Sequence, residues 1–99
     1  MKIVDLERDK SHPGGMSTLS PEQCRAARGW LGWSQDDLAK RASVGLSTVR
    51  DFEGGRRTPI ANNLAAMQRA IETAGVGLVF GSGGRAVGIA AMDPDGGAG

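Results

Sequence analysis

The chain has 99 residues, with 12 Lys and Arg against 11 Asp and Glu, for a formal net charge of +1. That length holds one packed domain, and no apolar run reaches the roughly 18–20 residues of a membrane span. The single cysteine, Cys24, excludes an internal disulfide, and the near-neutral charge does not by itself advertise a polyanionic partner.

Hydrophobic residues make up only 39% of the chain, and the bulky aromatics Trp30, Trp33, Phe52 and Phe80 all fall between residues 30 and 80. A small core is expected there. Residues 1–17 mix charges with His12-Pro13-Gly14-Gly15 and read as a flexible N-terminal segment. Residues 1–7 have no apolar stretch of the kind that opens a secretory signal, so the cytoplasm is the expected compartment.

Structure begins at Ser20. Ser20-Pro21-Glu22-Gln23 supplies an N-cap, a proline at the first helical position and a glutamine three after the cap. Cys24, Ala27 and Leu31 then recur at helical spacing and Gly32 stops the segment, so a first helix is expected over 21–31. Ser34 caps a second helix over 35–42, with Asp37 as the capping-box acid and Trp33 and Leu38 as the flanking apolar staple. Ser43-Val44-Gly45 breaks the chain. A third helix over 46–53 buries Val49 and Phe52 and ends at Gly54-Gly55. Thr58-Pro59 is expected to open a fourth helix, with Ile60, Leu64, Met67, Ile71 and Ala74 as its apolar stripe and Gly75 as its stop. Residues 76–91 read as a β-hairpin turning at Gly81-Ser82-Gly83-Gly84. Nine of the 16 glycines lie from residue 75 onward, and 92–99 is expected to be a disordered tail.

Catalytic chemistry is poorly provided for. The lone histidine, His12, sits in a Pro-Gly-Gly setting that fixes no geometry for a general base or a ligand. Cys24 takes an inward helical position, as a structural thiol does. Asp93-Pro94-Asp95-Gly96 lacks the later acidic ligands of a calcium loop. No enzyme, metal or cofactor is expected.

Two helices of about two turns joined by three residues, inside a unit of 18–75, describe a helix-turn-helix domain in a mainly α fold. The outward face of the third helix is Leu46, Ser47, Thr48, Arg50 and Asp51. These residue types suit base edges: a guanidinium for guanine, a methyl for thymine, hydroxyls for either, a carboxylate for cytosine. Arg56 and Arg57 follow directly, within reach of phosphates, and Asn62 and Asn63 offer amides from the start of the fourth helix. Each has a plainer counterpart as a solvated surface residue.

Ser34-Gln35-Asp36-Asp37-Leu38-Ala39-Lys40-Arg41-Ala42, with Val44, Val49 and Glu53-Gly54, resembles the XRE-type regulators, the lambda-repressor and Cro-like DNA-binding domains. The resemblance spans about residues 20–75. It implies a bundle of four to five short helices that acts as a homodimer on a partly palindromic operator in double-stranded DNA. By position it implies that Gln35 binds a phosphate and braces the third helix, and that Arg28 and Glu53 form a partly buried ion pair. It also implies that Leu46, Ser47, Arg50 and Asp51 face bases and that Arg56 and Arg57 lie in a phosphate-binding loop. The chain departs from the pattern at the turn, where Ser43 replaces the usual glycine and Gly45 replaces a hydroxyl cap.

The function expected is therefore sequence-specific transcriptional regulation, as a repressor or autoregulator, with no membrane association. The alternative is a protein-interaction module on the same fold, an antiactivator or antitoxin with a regulatory protein partner. Near-neutral charge, Asp51 and the apolar hairpin motivate it. The fourth helix and the hairpin, with Phe80 and Ile89, are the candidate dimer surface. Local charge favours DNA: residues 38–60 carry Lys40, Arg41, Arg50, Arg56 and Arg57 against Asp51 and Glu53.

Overall fold

The computed structural model describes residues 18–92. The expectations for 1–17, including His12, and for the aspartates at 93 and 95 lie outside the described residues. Four helices and an antiparallel hairpin follow in chain order: α1 (Pro21–Leu31), α2 (Gln35–Ala42), α3 (Leu46–Glu53), α4 (Ala61–Thr73), β1 (Val76–Phe80) and β2 (Ala86–Ala91). A 3-10 turn, Ser82–Gly84, joins the strands.

Capping chemistry sets the first two helix starts. The Ser20 hydroxyl accepts from Gln23 N at 3.0 Å, and Gln23 Oε1 accepts from Ser20 N at 3.0 Å. Ser34 and Asp37 repeat the arrangement at 2.9 and 2.8 Å. Each reciprocal pair satisfies two backbone donors that a helix start leaves open. Gly32 closes α1 in the left-handed region at φ 71°.

The fourth helix starts later than its proline predicts. Residues 58–60 run outside the helix, and Ile60 is the N-cap, extended at φ −66° and ψ 158° with no side-chain cap bond. Ile60 therefore leaves the apolar stripe and is 68% exposed, and Ala74, past the helix end, is exposed too. Trp30 also departs from expectation at 65% exposed. Cys24, Ala27 and Leu31 define the inward face of α1, and Trp30 is turned about 100° from Leu31.

The core joins all four helices to the hairpin through Cys24, Leu38, Val49, Phe52, Met67, Ile71 and Val76. Leu38, Met67 and Ile71 are its largest fully buried members, and truncating one to alanine costs about 2–5 kcal/mol. In the hairpin, Val76 pairs with Ala91 and Leu78 with Ile89. Leu78 and Ile89 pack inward against the core, so Ile89, a candidate for the dimer surface, faces the same molecule instead. Val79 pairs with Gly88 and Phe80 with Ala86, leaving Val87 as the extra residue of a bulge. Met92, expected in the tail, closes the hairpin by donating from its main chain to Gly75 O at 2.6 Å. Gly75 takes φ 101°, and a Cβ there would sit 3.3 Å from that Met92 carbonyl oxygen.

A two-stranded hairpin is marginal alone. Gln23 supports it. Its Nε2 donates to Val79 O and to Gly88 O, both at 3.0 Å, tying both strands to the start of α1. One side chain thus caps a helix and satisfies two strand carbonyls, which explains a glutamine only 2% exposed.

Candidate nucleic-acid interface

The orientation of α3 is set first at the turn before it. Ser43 takes φ 57° and ψ 45°, the only non-glycine with positive φ among the described residues. That conformation places Ser43 N on Lys40 O at 3.2 Å and Val44 N on Ala39 O at 2.9 Å, which closes α2. Gly45 is extended at the N-cap of α3 and supplies no side-chain bond, so the Thr48 and Val49 amides turn to its carbonyl instead. Trp33 is half-buried against the core, and the Arg41 guanidinium stacks 4.4 Å from its ring centre.

The far end of α3 is set by a polar cluster around Glu53, whose side chain is 3% exposed. Arg28 Nε donates to Glu53 Oε2 and Arg28 Nη2 to Oε1, both at 2.8 Å, while Nη1 reaches Trp33 O at 3.0 Å. Gln35 Nε2 donates to Oε1 and the Cys24 thiol to Oε2, both at 3.0 Å. Arg25 Nη1 donates to the Glu53 main-chain oxygen at 2.6 Å. One carboxylate thereby fastens α3 to both α1 and α2, and no buried side-chain N or O among the described residues lacks a partner.

The electrostatics follow from the geometry. Burial disfavours the Glu53 carboxylate and is the largest single influence on it. Hydrogen bonds from Arg28, Cys24 and Gln35, with the charge of Arg28, together outweigh burial and hold its pKa below the ordinary value. The hydrogen bond to Glu53 raises the Arg28 pKa against the smaller effect of its own desolvation. Burial, then the hydrogen bond to Glu53 and its charge, pushes the Cys24 thiol far above the ordinary range, which favours the protonated thiol.

Beyond this cluster, an open groove of about 210 Å³ gathers residues from three segments. Ser47, Thr48 and Asp51 come from α3, Arg57 from the following loop and Asn63 from α4. Gln35, Leu46, Arg50, Arg56 and Asn62 do not line it. Arg50 and Asn62 are exposed, while Leu46 is half-buried and packs against the core. Leu46 is therefore divided between core and surface. Gln35 is turned to Glu53, so its bracing of α3 is visible in the geometry.

Asp51, expected toward a base edge, lies beside an arginine of its own chain. Its Oδ1 lies 3.6 Å from Arg56 Nη1. Its main-chain oxygen accepts from Arg56 N at 2.8 Å and Arg57 N at 3.3 Å, which folds the loop back on α3.

Sequence reasoning missed Gln23, Cys24 and Arg25 as fasteners. Arg25 had a readable signal: it is three residues before Arg28, so both guanidiniums project from one side of α1. Gln23 had none, because its acceptors lie 56 and 65 residues away.

A family model described as a helix-turn-helix domain matches residues 22–78. Multiprotein-bridging factor 1 of Schizosaccharomyces pombe is 29% identical over 68 residues, covering 69% of this chain and 46% of the relative. Multiprotein-bridging factor 1 of Eremothecium gossypii is 32% identical over 71 residues, covering 72% and 47%. The chain thus spans about half the length of the curated relatives it matches. No helix of the described residues is long and apolar enough to cross a membrane.

Proposed function

This chain belongs to the helix-turn-helix domain family, and we propose that it is a sequence-specific DNA-binding transcriptional regulator of the XRE-type, lambda-repressor-like kind. In this reading it is a cytoplasmic repressor or autoregulator without catalytic activity or cofactor. The recognition element is α3, inserted in the major groove with Ser47, Thr48 and Arg50 toward base edges. Arg57, Asn62 and Asn63 take phosphates, and Gln35 donates to a phosphate from the start of α2 while bracing α3. A homodimer reads two half-sites about 34 Å apart.

The observation that carries the reading is the Glu53 cluster. It fixes a two-turn helix at its C-terminal end from two other helices, while hydroxyls and a guanidinium remain on its open side. Such rigid support is what side chains need to discriminate base edges at hydrogen-bond distance. Selection of bound sequences from a random duplex library, followed by a footprint, tests it. Recovery of a two-fold symmetric site is expected. Absence of any shift at 50 mM salt, on selected or random duplex, refutes DNA binding altogether.

A second reading has specific support. The relatives are named bridging factors, and Val79, Val87 and Met92 leave an apolar surface on the hairpin. In that reading the chain is a protein-interaction module with a regulatory protein partner. Stoichiometric capture of such a protein by a chain that shifts no DNA supports it over the first.

A further inference from the structure

Among the described residues, Asp51 is the one carboxylate lining the groove formed by α3, the Arg57 loop and the start of α4. A carboxylate at a phosphate-facing surface repels the ligand unless something else engages it. Here its partner is internal. Asp51 Oδ1 faces Arg56 Nη1 at 3.6 Å, and its main-chain oxygen holds the Arg56 and Arg57 amides at 2.8 and 3.3 Å. The two main-chain bonds bring Arg56 beside α3 whatever the side chains do. The side chains then meet with 64% of Arg56 and 31% of Asp51 still exposed, so the pair is open to exchange with a competing anion.

We infer that Asp51 is an internal counterion of the interface rather than a base reader. It occupies Arg56 in the free protein and competes with phosphate for that arginine, which weakens its contribution to sequence-independent binding. Asp51 thereby lowers background affinity for duplexes of any sequence and leaves discrimination between sequences to Ser47, Thr48 and Arg50. It is an affinity-setting residue of the interface that acts through Arg56. This inference rests on the DNA-binding reading above.

The test compares wild type, Asp51→Asn, Arg56→Ala and the double variant on a mixed-sequence 30-base-pair duplex by fluorescence anisotropy across 50–200 mM salt. Asn keeps the volume and the main-chain bonds of Asp51, and thermal melts of all four proteins verify folding. Asp51→Asn is expected to bind random duplex more tightly. Its log K against log salt is expected to steepen by about 0.9 for each protomer bound, the signature of one added phosphate contact. Arg56→Ala alone is expected to change little, and in the Asn background it is expected to abolish the gain, which is a coupling between the two sites. An unchanged slope for Asp51→Asn, with wild type still binding, overturns the counterion role and leaves DNA binding intact. Loss of affinity with a changed base preference at one selected position likewise overturns it, in favour of contact with a cytosine amino group. Failure of wild type to bind any duplex removes both readings.

Discussion

Replacing Arg28 by alanine removes three hydrogen bonds at once: two to the Glu53 carboxylate and one to Trp33 O. What remains on that carboxylate is a thiol and one amide, inside a site where the Glu53 side chain is 3% exposed. Removing one partner of a buried pair costs about 3–5 kcal/mol, because the other charge stays buried and uncompensated. Arg28 is itself 20% exposed, and water entering its place relieves part of the penalty, so the expected cost lies at about 3 kcal/mol. For a domain of this size that lowers Tm by roughly 10–25 °C.

The pH dependence separates this cause from simple loss of packing. In wild type the folded Glu53 pKa is depressed, so its contribution is present above the unfolded carboxylate pKa and is lost as pH falls through the folded value. Without Arg28 its hydrogen bonds and its charge no longer oppose burial, and the folded pKa is expected to rise from its depressed value. The variant's penalty then fades as pH falls through that raised value. The stability gap between wild type and variant must therefore narrow from pH 7 toward pH 3, measured by urea unfolding at each pH. Glu53→Gln strands only the Arg28 guanidinium, which is 20% exposed and within reach of water, and is expected to cost less than Arg28→Ala at pH 7. A gap that stays constant with pH, or a cost below about 1 kcal/mol, refutes the electrostatic account of the cluster.

Gln23→Ala strips donors from Val79 O and Gly88 O, at about 2–3 kcal/mol, and hydrogen exchange is expected to accelerate first in the hairpin amides. Ser43→Gly relieves a left-handed residue at φ 57° and is expected to stabilise by about 0.5–1 kcal/mol, read as a higher Tm. On DNA, Arg50→Ala is expected to relax base preference in a selection experiment. Arg57→Ala instead weakens all sequences alike and makes the salt slope shallower by about 0.9.

The helices were readable because their signals are local. Ser20 with Gln23, and Ser34 with Asp37, act within one turn, and the apolar spacing of Leu38, Val49 and Met67 needs no knowledge of partners. Position 60 was misread because Thr58-Pro59 has the form of a cap and first residue. The chain holds it extended instead, with Asn63 N and Leu64 N both bonded to Ile60 O. Trp30 was misread because composition counts aromatics without their direction. The cluster at Glu53 was half legible: family resemblance implied Arg28 and Gln35, but Cys24 and Arg25 join only when α1 and α3 pack. Asp51 was legible as a carboxylate among residues expected to face DNA, and only geometry gives it Arg56 as a partner.

Those pairings change what the local charge means. Between residues 38 and 60, Lys40 lies 3.1 Å from Asp36, Arg41 stacks on Trp33, and Arg56 faces Asp51. Among the described residues, Arg50 and Arg57 are then the two bases of that stretch whose side chains have no such partner. Each phosphate neutralised contributes about −0.9 to the slope of log K against log salt. One protomer on random duplex is therefore expected to show a slope of about −1.8, and two protomers about −3.6. A titration that returns the larger value for a stoichiometry of two per duplex supports the homodimer. A slope much steeper than about −4 means that cations outside this face carry the binding, and α3 is then not its electrostatic centre.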